Sequence, residues 1–318
     1  MKLGLLFNIT AAEHQQLAAL PDLEIVDLPT ANTDPKSWLD VDIIYGWNTF
    51  GDQLLQLPHN HLKWIQSISA GIDYMPLAAI KQQGILLTNT SGIHAEPIAE
   101  FVLGYLLAFS RGILASTQAQ QQHRWVSDAL RDQVFNLSHS TIAIFGTGHI
   151  GTRIAHYCHS FAMTTIGFNT AGHSAPEFDA TFAAGANPSA LQSAKFIVNA
   201  LPLTAKTTGF FEQSFFEQLT GQPLFINVGR GPSVDTAALR GALDQHKLAG
   251  AVLDVLPDEP LAPDATLWDQ PNLWLSPHIS GGFEDYGAAA FAILFKNLQA
   301  YLADGQLIMN QVDLDKGY

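Results

Sequence analysis

The run TIAIFGTGHIGTRIAHYC, residues 141–158, limits the possible folds more than any other stretch of the chain. An apolar strand pattern ends at Phe145, glycines follow at 146, 148 and 151, and a helical pattern begins at once. A strand that turns into a helix over G-x-G-x-x-G fits a parallel βαβ unit. Gly146 permits the tight turn, Gly148 lets the backbone approach a pyrophosphate, and Gly151 lets the helix pack closely on the strand. Backbone N–H groups at the helix start, near His149 and Ile150, supply an anion site. A glycine-rich turn alone would be a weak signal. The strand before it and the helix after it make the reading a dinucleotide site.

The same alternation runs through the rest of the chain. LGLLF, LEIVDL, VDIIYGW, LKWIQSIS and GILLTNT fall in the first hundred residues, and helical stretches such as Thr10 to Ala19 lie between them. TIAIFG, TTIGFN, FIVNAL, LFINVG, AGAVLDV and LWLSPH form a second series. This pattern predicts an α/β protein with two Rossmann-like, doubly wound parallel-sheet domains. A length of 318 residues also exceeds what one core usually organises. A last helix, Tyr286 to Leu302, has no strand after it and is expected to return to the first domain. The expected division is residues 1–98 plus 283–318, a discontinuous domain, and residues 99–282. A further helix, EPIAEFVLGYLLAFSRGI, begins near Pro97 with apolar residues on more than one face. Such a helix is central to a fold or covered by a partner subunit.

Composition narrows the function classes. The chain is 47% hydrophobic and 14% charged, which suits a large core and argues against long disorder. Its 15 basic and 29 acidic residues give a net charge of -14, against the basic face that nucleic acid requires. One local arginine can still dominate a pocket for a small anion. The single cysteine, Cys158, rules out an internal disulfide, suits a reducing compartment and reads as a packed core thiol. MKLGLLFNIT lacks a small-residue cleavage site and reads as a first strand rather than a signal peptide. The longest apolar stretch, Ile98 to Phe109, contains Glu100 and is too short for a bilayer. The expectation is a soluble cytoplasmic protein with no nucleic-acid or membrane partner. The 12 histidines form no metal-ligand pattern, so no metal is expected.

Further motifs stand in order along the chain: NALPLTAKTTG from Asn199, NVGRGPSVDTAAL from Asn227, LDVLPDEPL from Leu253 and SPHISGG from Ser276. With the glycine loop, these resemble the D-isomer-specific 2-hydroxyacid dehydrogenase family over essentially the whole chain. The resemblance implies a dinucleotide-binding Rossmann domain in the middle of the chain and a flavodoxin-like substrate domain, with the active site in the cleft between them. It implies catalytic roles for Arg230, Glu259 and His278, and places Asp254 near the nicotinamide. SISAGIDYM, Ser67 to Met75, resembles the family's substrate-domain turn, with Ser69 where many members carry glycine. Ala70 and Gly71 are the expected substrate contacts there, beside Arg230. Cofactor contacts are expected at Gly146, Gly148, His149, Ile150, Gly151, Asn169, Thr170, His173, Ala200, Leu201, Pro202, Thr207, Val228, Gly229, Asp254, His278 and Gly281. The resemblance also implies a homodimer built on the apolar helix near Pro97.

The chemistry of these residue types agrees with that implication. A 2-keto acid carries a carboxylate beside a ketone, and its reduction needs a hydride at carbon and a proton at oxygen. The planar fork of Arg230 can bind the carboxylate, polarise the ketone and never lose its proton. Flanking Gly229 and Gly231 would let ligands approach the backbone. His278 is the proton donor for reduction, and Glu259 would hold its ring. Read without the other motifs, Arg230 is a structural ion pair, His278 a core histidine, Glu259 a loop acid and Asp254 a strand-end cap. Trp47, His94 and Arg111 are weaker candidates for the pocket wall.

Two alternatives stay open. D-3-phosphoglycerate dehydrogenase shares these motifs, but its phosphate tail needs extra cations, and only Lys63, His94 and Arg111 are offered. An added regulatory domain after Tyr318 is not expected. A non-catalytic NAD(P)-sensing binding protein would share the fold without needing a proton donor. As for the cofactor, strand TTIGFN ends at Asn169, where NAD-selective enzymes place an acid. Asn169, Thr170 and His173 could donate to a 2′-phosphate, so NADP(H) is favoured over NAD(H), with both usable.

Overall fold

A computed structural model describes residues 1–186 and 191–317. They form two units, Met1–Ile93 with Phe283–Tyr318, and His94–Gly282. The break before His94 leaves the helix Ala95–Ser110 whole, whereas the division expected at 98/99 would cut it.

The first unit is a five-stranded parallel sheet of β1 (Lys2–Leu5), β2 (Glu24–Val26), β3 (Ile43–Tyr45), β4 (Trp64–Gln66) and β5 (Leu86–Thr88). Their order, β2-β1-β3-β4-β5, is a doubly wound one. Strands β3 and β4 are buried along their whole length; β3 reads as a continuous apolar run, and β4 is buried although it ends in Gln66. One face packs Leu54, Leu55 and Ile80 from its helices. The other packs Leu17 with Phe291, Leu294 and Leu298 of the helix Tyr286–Asp304. The C-terminal helix thus completes the N-terminal sheet.

The second unit is a seven-stranded parallel sheet: β6 (Thr141–Phe145), β7 (Thr164–Asn169), β8 (Ala180–Ala183), β9 (Ala194–Asn199), β10 (Leu224–Asn227), β11 (Gly250–Leu253) and β12 (Leu273–Leu275). Its order is β12-β11-β10-β9-β6-β7-β8. The winding reverses between β6 and β9, the switch point where ligands of such sheets bind. Edge strand β8, ATFA, went unread in the sequence because alanine carries little strand signal.

Helix Ala95–Ser110 buries Ile98, Ala99, Val102 and Leu106 against Ile154 and Cys158. Phe101, Leu103, Tyr105 and Leu107 pack partly on the same cluster, so the unit itself covers part of the extra apolar surface. The expected helix through Ile113 stops at Ser110. Gly112 takes a left-handed φ of 67°, and a second helix, Ile113–Gln121, leaves at 69°. Among the described residues no single helix is long and apolar enough to cross a membrane. Burial pushes the Cys158 thiol up to about 12, so it is an unreactive part of this core.

Candidate active site

The chemistry-bearing residues of the second unit follow the carboxyl ends of adjacent strands. Asn199 of β9 is in register with Asn227 of β10, Asn227 with Leu253 of β11, and Leu253 with Leu275 of β12. Arg230, Asp254, Glu259 and His278 stand in the loops that leave this line of strand ends.

The glycine loop has the form its pattern requires. Gly146 has φ 103°, and a Cβ there would lie 2.7 Å from the Ala200 carbonyl. A Cβ on Gly151 would lie 1.9 Å from the Gly146 carbonyl, so only glycine lets the helix start this close. At Gly148 a Cβ would meet nothing within 4 Å. That open side, with the side-chain-uncapped start of helix His149–Ser160, fits a pyrophosphate against the amides of His149 and Ile150. A dinucleotide therefore suits the residues present.

Asn169 does something else than expected. Its Oδ1 accepts from the amides of Ala171, Gly172 and His173, at 3.3, 2.7 and 3.2 Å. Its Nδ2 donates to Thr147 Oγ1 at 3.2 Å and to the His173 carbonyl at 2.8 Å. One amide proton thus goes to the glycine loop and the other to His173, so Asn169 ties residues 170–173 to the glycine loop with no proton left for a phosphate. Thr170 and His173 remain exposed. Thr207 is likewise used locally, donating to the Pro202 carbonyl at 2.6 Å. The Val228 side chain is core. Ala200 and Leu201 lie beside Gly146, with Pro202 exposed after them.

Arg230 is partly exposed, with Nη1 donating to the Gly229 carbonyl at 2.9 Å. The flanking glycines serve protein packing, not ligand approach. A Cβ on Gly229 would lie 2.8 Å from the Leu201 carbonyl. One on Gly231 would lie 1.9 Å from the Leu256 carbonyl carbon. The arginine loop thus rests directly on the turn that leads to Glu259.

Glu259 and His278 meet. His278 Nδ1 is 2.7 Å from Glu259 Oε2, and Glu259 Oε1 accepts the Leu256 amide at 2.7 Å. A carboxylate at Nδ1 selects the tautomer with its proton there and leaves Nε2 for proton exchange. The His278 side chain is 52% exposed, open to a reactant. Its backbone is left-handed, φ 55°, and its N–H donates to the Asp254 carbonyl at 2.9 Å.

Asp254, 2% exposed, is the frame of that loop. Its carboxylate accepts from Ser276 Oγ at 2.7 Å, the Ile279 amide at 3.0 Å and the Ser280 amide at 3.1 Å. Ser276 and Ser280 were not singled out in the sequence, nor was the buried pair Asn199 and Asn227. For the asparagines the signal is position, since each ends a largely buried strand.

His94 joins this group, its Nδ1 3.0 Å from the Gly281 carbonyl. Burial, and secondarily the charge of Arg230, hold its pKa below the ordinary value, against the Gly281 bond. Arg111 instead donates to the Phe135 carbonyl and Asn136 Oδ1, each at 3.2 Å.

In the first unit, Ala70 and Gly71 lie in a turn whose carbonyls are held by the protein. The Ser69 carbonyl accepts the Thr90 amide at 3.3 Å and the Ala70 carbonyl accepts Asn89 Nδ2 at 2.9 Å. Trans peptides are planar, so the amides of Ala70 and Gly71 point away from those residues. Trp47 is core, 8% exposed, with Nε1 donating to Asp52 at 3.0 Å. Lys63 pairs with Asp42 at 2.7 Å.

Comparison with known proteins identifies the family. Residues 103–280 match the family described as D-isomer specific 2-hydroxyacid dehydrogenase, NAD binding domain. A glyoxylate/hydroxypyruvate reductase B of Citrobacter koseri is 31% identical over 237 residues, 73% of each chain. The crystal structure of a phosphoglycerate dehydrogenase from Lactobacillus plantarum is 39% identical, covers 98% of this chain and 100% of that one, and has a TM-score of 0.59. An NADPH-dependent glyoxylate/hydroxypyruvate reductase from Sinorhizobium meliloti, solved with NADP and sulfate, is 26% identical. It covers 100% of this chain and 99% of that one, with a TM-score of 0.83.

The His94 environment sets a pH dependence. Unfolded His94 titrates near 6.5, and the folded residue below that. The folded state therefore binds fewer protons in between, and stability, full above about 6.5, falls as pH drops towards the depressed value. Urea unfolding at pH 7.5 and 5.5 should show a smaller acid loss in His94→Gln than in wild type. An equal loss would exclude His94 as a source.

Proposed function

Because the chain belongs to the D-isomer specific 2-hydroxyacid dehydrogenase family, we propose that it reduces small 2-keto acids such as glyoxylate and hydroxypyruvate, with NADPH preferred. It is an NAD(P)-dependent oxidoreductase acting on the CH–OH group of 2-hydroxy acids. The observation that carries the reductase reading is the His278–Glu259 pair at 2.7 Å in a turn packed against the Arg230 loop. A protein that only sensed the cofactor would need neither.

The bound nicotinamide supplies the hydride. Arg230 binds the substrate carboxylate and polarises the ketone oxygen. The amides of Ala70 and Gly71 are proposed as further donors to the carboxylate. His278 gives a proton from Nε2 to the ketone oxygen and takes it back in oxidation, while Glu259 keeps the ring in one tautomer and orientation. Asp254 holds the loop in place.

A small substrate is favoured over a phosphorylated one because, of the three cations offered for a phosphate, Lys63 and Arg111 are engaged elsewhere, and burial lowers the pKa of the third, His94. The phosphoglycerate reading draws its support from the 39% identity to the Lactobacillus plantarum structure. NADPH is favoured because Asn169 replaces the usual acid, removing repulsion of a 2′-phosphate. Thr170 and His173 are exposed beside it. The protein is proposed to be cytoplasmic and homodimeric. Ile113, 52% exposed, and Trp125, 95% exposed, support an interface that continues from helix Ala95–Ser110.

Steady-state kinetics with a panel of 2-keto acids tests the reading. Arg230→Gln should lower kcat/KM by about a hundredfold or more, as loss of a charge-assisted pair does, with cofactor binding intact. His278→Ala should cut reduction by about a hundredfold or more. An unchanged kcat/KM in either variant removes that residue from the site. Wild type should show higher kcat/KM with NADPH than with NADH, and Asn169→Asp should move the preference towards NADH. A strong wild-type preference for NADH would sink the cofactor proposal. Light scattering at micromolar concentration should give twice the chain mass, and a monomer would rule out the dimer.

A further inference from the structure

We infer that Ser233 is a positioning residue for Arg230, acting through a buried network that also anchors the segment Ala200–Pro202. This rests on reading Arg230 as the keto-acid clamp. Asn199, Asn227 and Ser233 are each 0% exposed. Ser233 Oγ donates to the Arg230 carbonyl at 2.5 Å, and Asn227 Nδ2 donates to the same oxygen at 3.3 Å. Asn227 Oδ1 accepts the Gly229 amide at 3.1 Å. Asn227 therefore grips both sides of the Gly229–Arg230 peptide pair. Asn199 Nδ2 supplies the next link, donating to Asn227 Oδ1 at 2.8 Å and to Ser233 Oγ at 2.7 Å. Asn199 Oδ1 accepts the Leu201 amide at 3.0 Å.

The direction of this chain is determined by proton counting. Asn199 has two amide protons, and they go to Asn227 and Ser233. The one hydroxyl proton of Ser233 is then left for the Arg230 carbonyl. No member can reverse its role without leaving a buried group unmatched, which is costly. One end of the network thus sits in the segment beside the glycine loop, and the other sets the backbone from which the Arg230 side chain springs. An alanine at position 233 would complete the same short turn, since the Ser233 amide already donates to the Arg230 carbonyl at 3.2 Å. The hydroxyl is an addition to that turn, and its only donation is to residue 230.

The test compares wild type, Ser233→Ala and Ser233→Cys, each alone and combined with Arg230→Gln. It measures kcat/KM for glyoxylate, NADPH affinity by fluorescence titration, and thermal midpoints to confirm folding at the assay temperature. Ser233→Ala should lower kcat/KM for glyoxylate by about tenfold, the scale of one buried hydrogen bond, with NADPH affinity changed less than about twofold. Ser233→Cys keeps the volume but weakens the donor, and should behave like alanine. In the Arg230→Gln background neither change should cost more than about twofold, because the group they position is gone. An equal tenfold loss in both backgrounds, an unchanged kcat/KM, or wild-type behaviour of Ser233→Cys would overturn the inference. If Arg230→Gln alone leaves kcat/KM unchanged, the clamp reading itself fails and takes this inference with it.

Discussion

Asp254 is buried at the end of β11, where an ionised carboxylate is expensive unless its oxygens are hydrogen-bonded. Ser276, Ile279 and Ser280 provide those bonds, and all three belong to the loop that carries His278. The loop therefore cannot shift without stripping a buried charge of its donors. That dependence also offsets the left-handed backbone of His278, a conformation a side chain disfavours. The ring of His278, the proposed proton donor, is aimed by a residue that need not touch it. The loop after β12, and with it the His278 side of the Glu259–His278 pair, inherits its geometry from this one buried acid.

The polar half of the site is held by shared support. The Arg230 loop and the turn before Glu259 meet where Gly231 leaves no space for a side chain. Arg230 itself is flanked by groups satisfied through Asn227 and Ser233. The proposed carboxylate clamp, Arg230, and the proposed proton donor, His278, are thus two ends of one packed body. Placement to fractions of an ångström is what oriented catalysis requires.

Much of this was legible because burial on both faces writes parallel strands as continuous apolar runs. β3 and the apolar part of β10 are such strands. The glycine spacing was legible because each glycine answers a steric demand, and at Gly146 and Gly151 the demand is visible as a carbonyl where a Cβ would stand. Gly229 and Gly231 looked the same in sequence, yet their close neighbours are protein loops, which no local pattern announces. Asn169 failed in the same way. An asparagine at a strand end reads as a donor towards a ligand, whereas its short side chain closes its own turn. Edge strand β8 and the break at Gly112 were lost because small or flexible residues carry weak period signals. The buried asparagines were unreadable singly, since their meaning lies in strand register, which brings Asn199 and Asn227 side by side.

The strand order of the larger sheet has an evolutionary consequence. The loop after β7, proposed to choose between the two cofactors, lies on one wing of the switch point. The loops after β10, β11 and β12 lie on the other, with β6 and β9 between. On the proposed reading, substitutions on the first wing would alter coenzyme preference without disturbing the hydrogen bonds that hold Arg230 and His278. Such a layout makes the two traits separately heritable. A lineage can follow the redox poise of its cell while its acid chemistry stays fixed.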